Sequence, residues 1–309
     1  MKAKKYLYSL LCTVAIMQLI GCTKEETPIP SEHVGVEELF SPALDAHPLE
    51  KSMFKEYGVW ARMEFKDSKE VYNSYLGEDV NSSRYPVEKV DAGMRESAYI
   101  YLNTLLSNVN KKFSNELMPN EVFFVKTYGN PYYPPKFTTI GRNRLVITWP
   151  NAVSELPIVD PEMLYYADES LTWGVWDKLT ELISQRLLDE IDGFEELGKP
   201  YDGGVAFTKI RDQYFIDYDI EKRNRDWQTL ADEGGYLDHY SSFSFKAEYK
   251  GWLQLILTES SENINAWYLD GNPMRKAKYE LFVTYFKEKY NWDIQAAGNK
   301  FRETADSFQ

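Results

Sequence analysis

The sequence predicts an α+β fold: a small N-terminal sheet with one long helix, followed by a mainly helical C-terminal part. Three observations carry this. Val59-Trp-Ala-Arg-Met-Glu-Phe65 alternates strictly, with Val59, Ala61, Met63 and Phe65 on one face, which is the period of a half-buried strand. Glu121–Lys126 and Arg144–Trp149 are short runs rich in β-branched and aromatic residues. Beyond Trp149 the apolar residues recur every three or four positions instead of every two.

In chain order, Val87, Val90, Met94, Ala98, Tyr101, Leu105 and Val109 step at helical spacing, which predicts one long amphipathic helix from Pro86 to Phe113. Tyr128-Gly-Asn-Pro-Tyr-Tyr-Pro-Pro135 reads as a loop by its proline and glycine content. Trp173, Trp176, Leu179, Ile183 and Leu187 place an apolar stripe on a central helix spanning Glu169–Glu190. Helical stretches follow at Phe207–Phe215 and Asp226–Glu233, then, after Gly234-Gly235, at Phe245–Glu259 and Ala277–Tyr290. The pieces form one compact unit, or two lobes with a seam near residues 151–157. No internal repeat or low-complexity tract is present.

The first residues predict export. Met1–Lys5 holds three lysines and no acid, an apolar run extends from Tyr6 to Ile20, and Leu19-Ile20-Gly21-Cys22 closes it. The run is short for a spanning helix, and its ending resembles a bacterial lipobox. That resemblance implies cleavage before Cys22 and lipid on Cys22; an ordinary signal peptide with a chance cysteine is the alternative. Residues 1–21 are thus read as a signal peptide, 22–50 as a flexible tether and 51–309 as the folded domain. Lys24-Glu25-Glu26 fits either a surface-export tag or a generic solvated linker. The chain has two cysteines; with Cys12 in the signal and Cys22 lipidated, no disulfide or thiolate ligand set is expected. A net charge of −13 argues against nucleic acid and anionic membrane surfaces as partners.

The order of these pieces resembles a family of zinc metallohydrolase (metallopeptidase) lipoproteins of Bacteroidetes, encoded beside a TonB-dependent porin and a SusD-like binding lipoprotein. The resemblance spans roughly Val59 to Ile294. It rests on the lipobox, the early strand and helix, Asn143-Arg-Leu-Val-Ile147, Gly235-Tyr236-Leu-Asp-His-Tyr240-Ser241-Ser242, and the ending Lys287-Glu-Lys-Tyr-Asn-Trp-Asp-Ile294. It implies a zincin-like domain, an outer-membrane lipid anchor that faces the cell surface, and the porin and SusD-like protein as partners in nutrient import.

Where members carry His-Glu-x-x-His, this chain reads Thr180-Glu181-Leu-Ile-Ser184. Two imidazoles one helical turn apart bind zinc and the glutamate activates its water; here the glutamate remains and both imidazoles are absent. The further carboxylate the resemblance calls for falls near Gly251, with Glu248 close by. The predicted function is therefore a non-catalytic binding lipoprotein with no metal or other cofactor. It would hold a glycan or peptide nutrient, or the transporter. An active zinc hydrolase with atypical ligands around Glu181, Glu248 and His239 is the alternative, and a purely structural subunit is a third reading.

The candidate binding residues are aromatic: Trp173, Trp176, Tyr128, Tyr132 and Tyr133, with His239 beside Asp238. Aromatic faces stack on sugar rings and apolar side chains while their phenol and indole groups hydrogen-bond. The tryptophans equally fit a buried helix stripe, Tyr132-Tyr133 a packed loop, and His239 a turn. Asp177 and Glu181, four apart, fit a paired-carboxylate site or, with Lys178 and Arg186 nearby, a solvated charged face.

Overall fold

A computed structural model describes residues 40–72, 87–129, 132, 135–150, 163–187, 191–201, 205–237 and 245–308. The elements lie in the compact unit Pro42–Gln309. The tether assigned to 22–50 falls mostly outside the described residues, but its last three, Pro48–Glu50, are the first turn of helix α1 (Pro48–Tyr57). Pro48 starts that helix where no backbone donor is needed, and Gly58 ends it at φ +71° with its N–H on Phe54 O. The possible seam at 151–157 lies outside the described residues.

The sheet has five strands: β1 (Trp60–Arg62), β2 (Val87–Lys89), β3 (Glu121–Tyr128), β4 (Phe137–Ile140) and β5 (Arg144–Thr148). Their order is β1-β3-β5-β4, with β1 and β5 parallel to β3, and β4 antiparallel to β5. β2 pairs antiparallel with the far half of β3. Alternation sorts the strands' side chains to two faces: Ala61, Val122, Phe124, Leu145 and Ile147 join the main core, while Phe123, Val125 and Val146 join a smaller cluster. The predicted face of Val59, Ala61 and Met63 is in the main core, but Phe65, past the strand's end, packs in the smaller cluster. Glu121, at the start of β3, takes Arg62 from the end of β1 and Arg144 from the start of β5, tying three strands with one carboxylate.

The long helix predicted from Pro86 to Phe113 is instead several elements. Val87–Lys89 leaves it for the sheet, and a 3₁₀ turn at Ala92–Met94 leads into α3 (Arg95–Ser107); helix α2 (Ser68–Tyr72) precedes them. The chain then breaks at Asn108–Asn110, and Asn110 accepts from Phe113 N to cap α4 (Lys111–Leu117). Periodicity carried through because α3 and α4 both bury their stripes, while two asparagines supply local bonds that compete with a continuing helix.

The C-terminal part is helical as expected, and longer than periodicity indicated. It comprises α5 (Leu164–Ala167), α6 (Glu169–Leu187), α7 (Phe194–Gly198), α8 (Val205–Asp217), α9 (Ile220–Gly234), α10 (Phe245–Thr258), α11 (Ser261–Ile264), α12 (Pro273–Tyr290) and α13 (Ile294–Asp306). The last, α13, was absent from the sequence reading. It approaches α10 so closely that a Cβ on Gly298 would sit 1.9 Å from Ile256 O, so only glycine fits there. Likewise a Cβ on Gly174 would fall 2.2 Å from the Phe137 ring, which lets β4 lie against α6. Among the described residues no helix is long and apolar enough to cross a membrane.

Candidate functional site

The central helix α6 lies beside α10. Its stripe is Trp176, Leu179, Ile183 and Leu187, all buried, whereas Trp173 is off the stripe and 46 % exposed. Two side chains of α10 join the helices: Gln254 Nε2 donates to Trp173 O at 3.3 Å and Lys250 Nζ reaches Asp177 Oδ1 at 2.6 Å. A partner four residues earlier on α10 for one four residues later on α6 makes the pair antiparallel. Between them opens a cleft of about 390 Å³ lined by Trp173, Asp177, Glu248, Lys250, Gly251 and Tyr268, among others. Tyr268 reaches it from a π-helical turn, Asn265–Leu269, a local widening of the helix that is frequent at functional sites.

Asp177 is not a free acid. Burial pushes its carboxyl up, but hydrogen bonds and charge from Lys250 and Lys178 outweigh this and hold it below the usual carboxylate range. Lys178 also lies 3.6 Å from Glu181. Asp177 and Glu181 therefore sit in a lysine-bridged charged face. That answers the choice between this and a carboxylate pair poised for proton transfer, which needs one member kept protonated.

The residues at the two histidine positions face inward. Thr180 and Ser184 are completely buried. Thr180 Oγ1 donates to Trp176 O at 2.7 Å, and Ser184 Oγ donates to Glu181 O at 3.1 Å, so each hydroxyl is spent on its own helix. Glu248, 5 % exposed, is ion-paired to the fully buried Lys278 of α12, whose ammonium also donates to Gly234 O at 2.7 Å and lies 4.4 Å over the Tyr236 ring. The cation on this carboxylate is thus an ammonium belonging to the chain. At Gly251, which lines the cleft, an added Cβ would come 3.3 Å from the end of the Leu237 side chain. Among the described residues no three His, Cys, Asp or Glu side chains are grouped to hold a metal ion. Thr180, Ser184 and Glu248 do not fit a zinc ion: two buried hydroxyls committed to carbonyls and a carboxylate committed to lysine are not a zinc donor set.

The aromatic candidates separate. Trp173 lines the cleft, while Trp176 is 1 % exposed and donates its indole N–H to Tyr165 Oη at 3.1 Å. Tyr128 is buried in the smaller core cluster and stacks on Tyr72 at 4.8 Å; Tyr132 is 85 % exposed. Tyr133, His239 and Cys22 lie outside the described residues. Sequence reading missed Lys250, Gln254, Tyr268 and Lys278. Lys278 did leave a signal: Arg275, Lys278, Phe282 and Phe286 form the buried stripe of α12 at helical spacing, and a lysine on such a stripe needs a buried partner.

Comparison with known proteins gives one structural likeness. A crystal structure described as a candidate zinc-binding metallo-peptidase from Bacteroides caccae is similar over 85 % of this chain and 95 % of its own, at 12 % identity and a TM-score of 0.47. No family model matches the sequence. No curated protein matches it either.

Proposed function

We propose that this chain is a non-catalytic binding lipoprotein on a metallopeptidase-like scaffold. The carrying observation is the inward turn of Thr180 and Ser184. The helix that would present zinc ligands spends both positions on its own carbonyls, while its N-terminal half presents Trp173 and Asp177 to the cleft. The Lys278–Glu248 pair supports the same reading, because its charge is already neutralised within the chain.

The cleft suits a glycan or a peptide. Trp173 and Tyr268 offer ring faces, and Lys250, Gln254 and Asp177 offer donors and acceptors at its margin. The Leu-Ile-Gly-Cys22 ending supports lipid attachment to the outer membrane, and the family resemblance supports surface exposure beside a TonB-dependent porin and a SusD-like lipoprotein. The test is calorimetric titration of the intact chain with oligosaccharides and short peptides, repeated on Trp173→Ala. Saturable binding of either class, lost in the variant, supports the reading. Unchanged affinity in the variant removes this cleft as the site.

A further inference from the structure

In the cleft between α6 and α10, each charged side chain of the wall is already matched within the chain. Those side chains are Asp177, Glu248 and Lys250. Lys250 Nζ lies 2.6 Å from Asp177 Oδ1, Lys178 Nζ lies 3.0 Å from Asp177 Oδ2, and Glu248 is paired to the buried Lys278. An ammonium or carboxylate on a ligand would have to break one of these pairs before gaining a counter-charge. Free amino acids, acidic sugars and the termini of short peptides are disfavoured on that ground.

The walls also disfavour a peptide main chain. Backbone recognition of a peptide adds it to a sheet edge or meets it with an open run of N–H and C=O groups. The two long walls here are helices, whose interior backbone groups are spent on their own turns. Among the described residues no strand lines this cleft.

What the cleft offers is a ring face beside a paired donor and acceptor. Trp173 is half-exposed, and the bond from Gln254 Nε2 to its carbonyl ties its backbone to α10. Asp177 stands four residues on, one turn along the same helix face, and it and Lys250 are both part-exposed. A carboxylate has roughly four lone-pair positions and an ammonium three N–H donors. After their mutual bond, Asp177 can still accept and Lys250 can still donate. The two atoms lie one hydrogen bond apart, which is the spacing of neighbouring hydroxyls on a sugar ring: one hydroxyl accepts from Lys250 while the next donates to Asp177. Gly251, beside Lys250, brings no side chain into this space, so a ligand can approach the backbone there.

We propose, on the reading of this cleft as the chain's binding site, that it takes a neutral sugar: a pyranose ring lies against Trp173, and two vicinal hydroxyls are clamped by Lys250 and Asp177.

The test probes an array of neutral, uronic-acid-bearing and sulfated oligosaccharides, with capped and free-ended tripeptides beside them, using the intact chain; bound members are then measured by calorimetry. Neutral oligosaccharides alone are expected to bind, with a Kd that changes less than about twofold between about 0.05 and 0.5 M NaCl. Trp173→Ala should weaken binding at least about tenfold. Lys250→Met should do the same. Asp177 keeps Lys178 in that variant, so Tm should stay within about 2 °C of the wild type. Mono-deoxy analogues of the bound sugar read the clamp: removing either of two adjacent hydroxyls should cost at least about tenfold. Equal binding of every mono-deoxy analogue would overturn the proposal, as would neutral-sugar binding that survives both variants. Selective binding of acidic glycans, or of peptides in a Trp173-dependent manner, would overturn the sugar assignment while leaving the cleft a binding site. No binding of either class at about 10 mM would overturn the assignment together with the binding-protein reading.

Discussion

Replacing Lys278 by Met tests how the chain neutralises Glu248. Methionine keeps the length and apolar stem of lysine and removes the ammonium. The ammonium is fully buried and its carboxylate partner is 5 % exposed, so no water replaces the lost cation. Breaking a buried pair by deleting one partner costs about 3–5 kcal/mol, because the remaining charge is uncompensated. For a domain this size each kcal/mol moves Tm by about 2–4 °C, so a fall of roughly 10 °C is expected in a thermal melt followed by circular dichroism. The double variant Lys278→Met/Glu248→Leu removes both charges and should recover most of that loss, since well-packed apolar replacements of buried pairs are often close to neutral. A Tm for Lys278→Met within about 2 °C of the wild type, or a double variant no better than the single one, would refute the reasoning.

Three further outcomes follow from the same geometry. Thr180→His/Ser184→His should not create a zinc site: both positions are completely buried, so the imidazoles overpack the core, with a loss of about 1–3 kcal/mol each in chemical denaturation and no zinc-dependent rise in Tm. Gly298→Ala should destabilise by about 1–3 kcal/mol despite alanine's better helix propensity, because its Cβ would meet the backbone oxygen of Ile256. Asp217 is held down to about 2 by the Asp219 backbone N–H, Gln213 and Lys222. A lowered folded pKa gives stability that is present above the ordinary Asp range and lost as pH falls through the folded value. Asp217→Asn should therefore lower Tm at neutral pH, and the gap to wild type should close as pH approaches 2, read by melts across the acid range.

The parts of the fold legible in the sequence were those where period and burial agree. Glu121–Tyr128 and Arg144–Thr148 bury apolar residues on both faces of the sheet, and the helices α6, α10 and α12 set apolar residues at helical spacing against the main core. The stretches misread or left unread are places where tertiary pairing overrode or outran a local pattern. Val87–Lys89 continues a helical period yet pairs with β3. Phe137–Ile140 is a half-buried edge strand whose Phe137 is accommodated only because Gly174 lacks a side chain. Trp173 shows the limit of a stripe argument: it is three residues from Trp176, but sits far enough around the helix to face the cleft. The site was half legible. The replacement of both histidines is visible in the string Thr180-Glu-Leu-Ile-Ser184, but its consequence is not, because hydroxyls bonded to their own helix and hydroxyls facing a cleft have the same sequence. Glu248's partner lies thirty residues away on another helix, and no local pattern joins the two.

Zinc content of the intact chain, measured by mass spectrometry after dialysis against trace zinc, bears most directly on the claim that the metal site is dismantled. With Thr180 and Ser184 turned into the core and Glu248 on Lys278, the expected result is far less than one zinc per chain, unchanged in Glu181→Ala. One tightly held zinc per chain, lost in Glu181→Ala, would contradict the account and make the chain a metallohydrolase with atypical ligands.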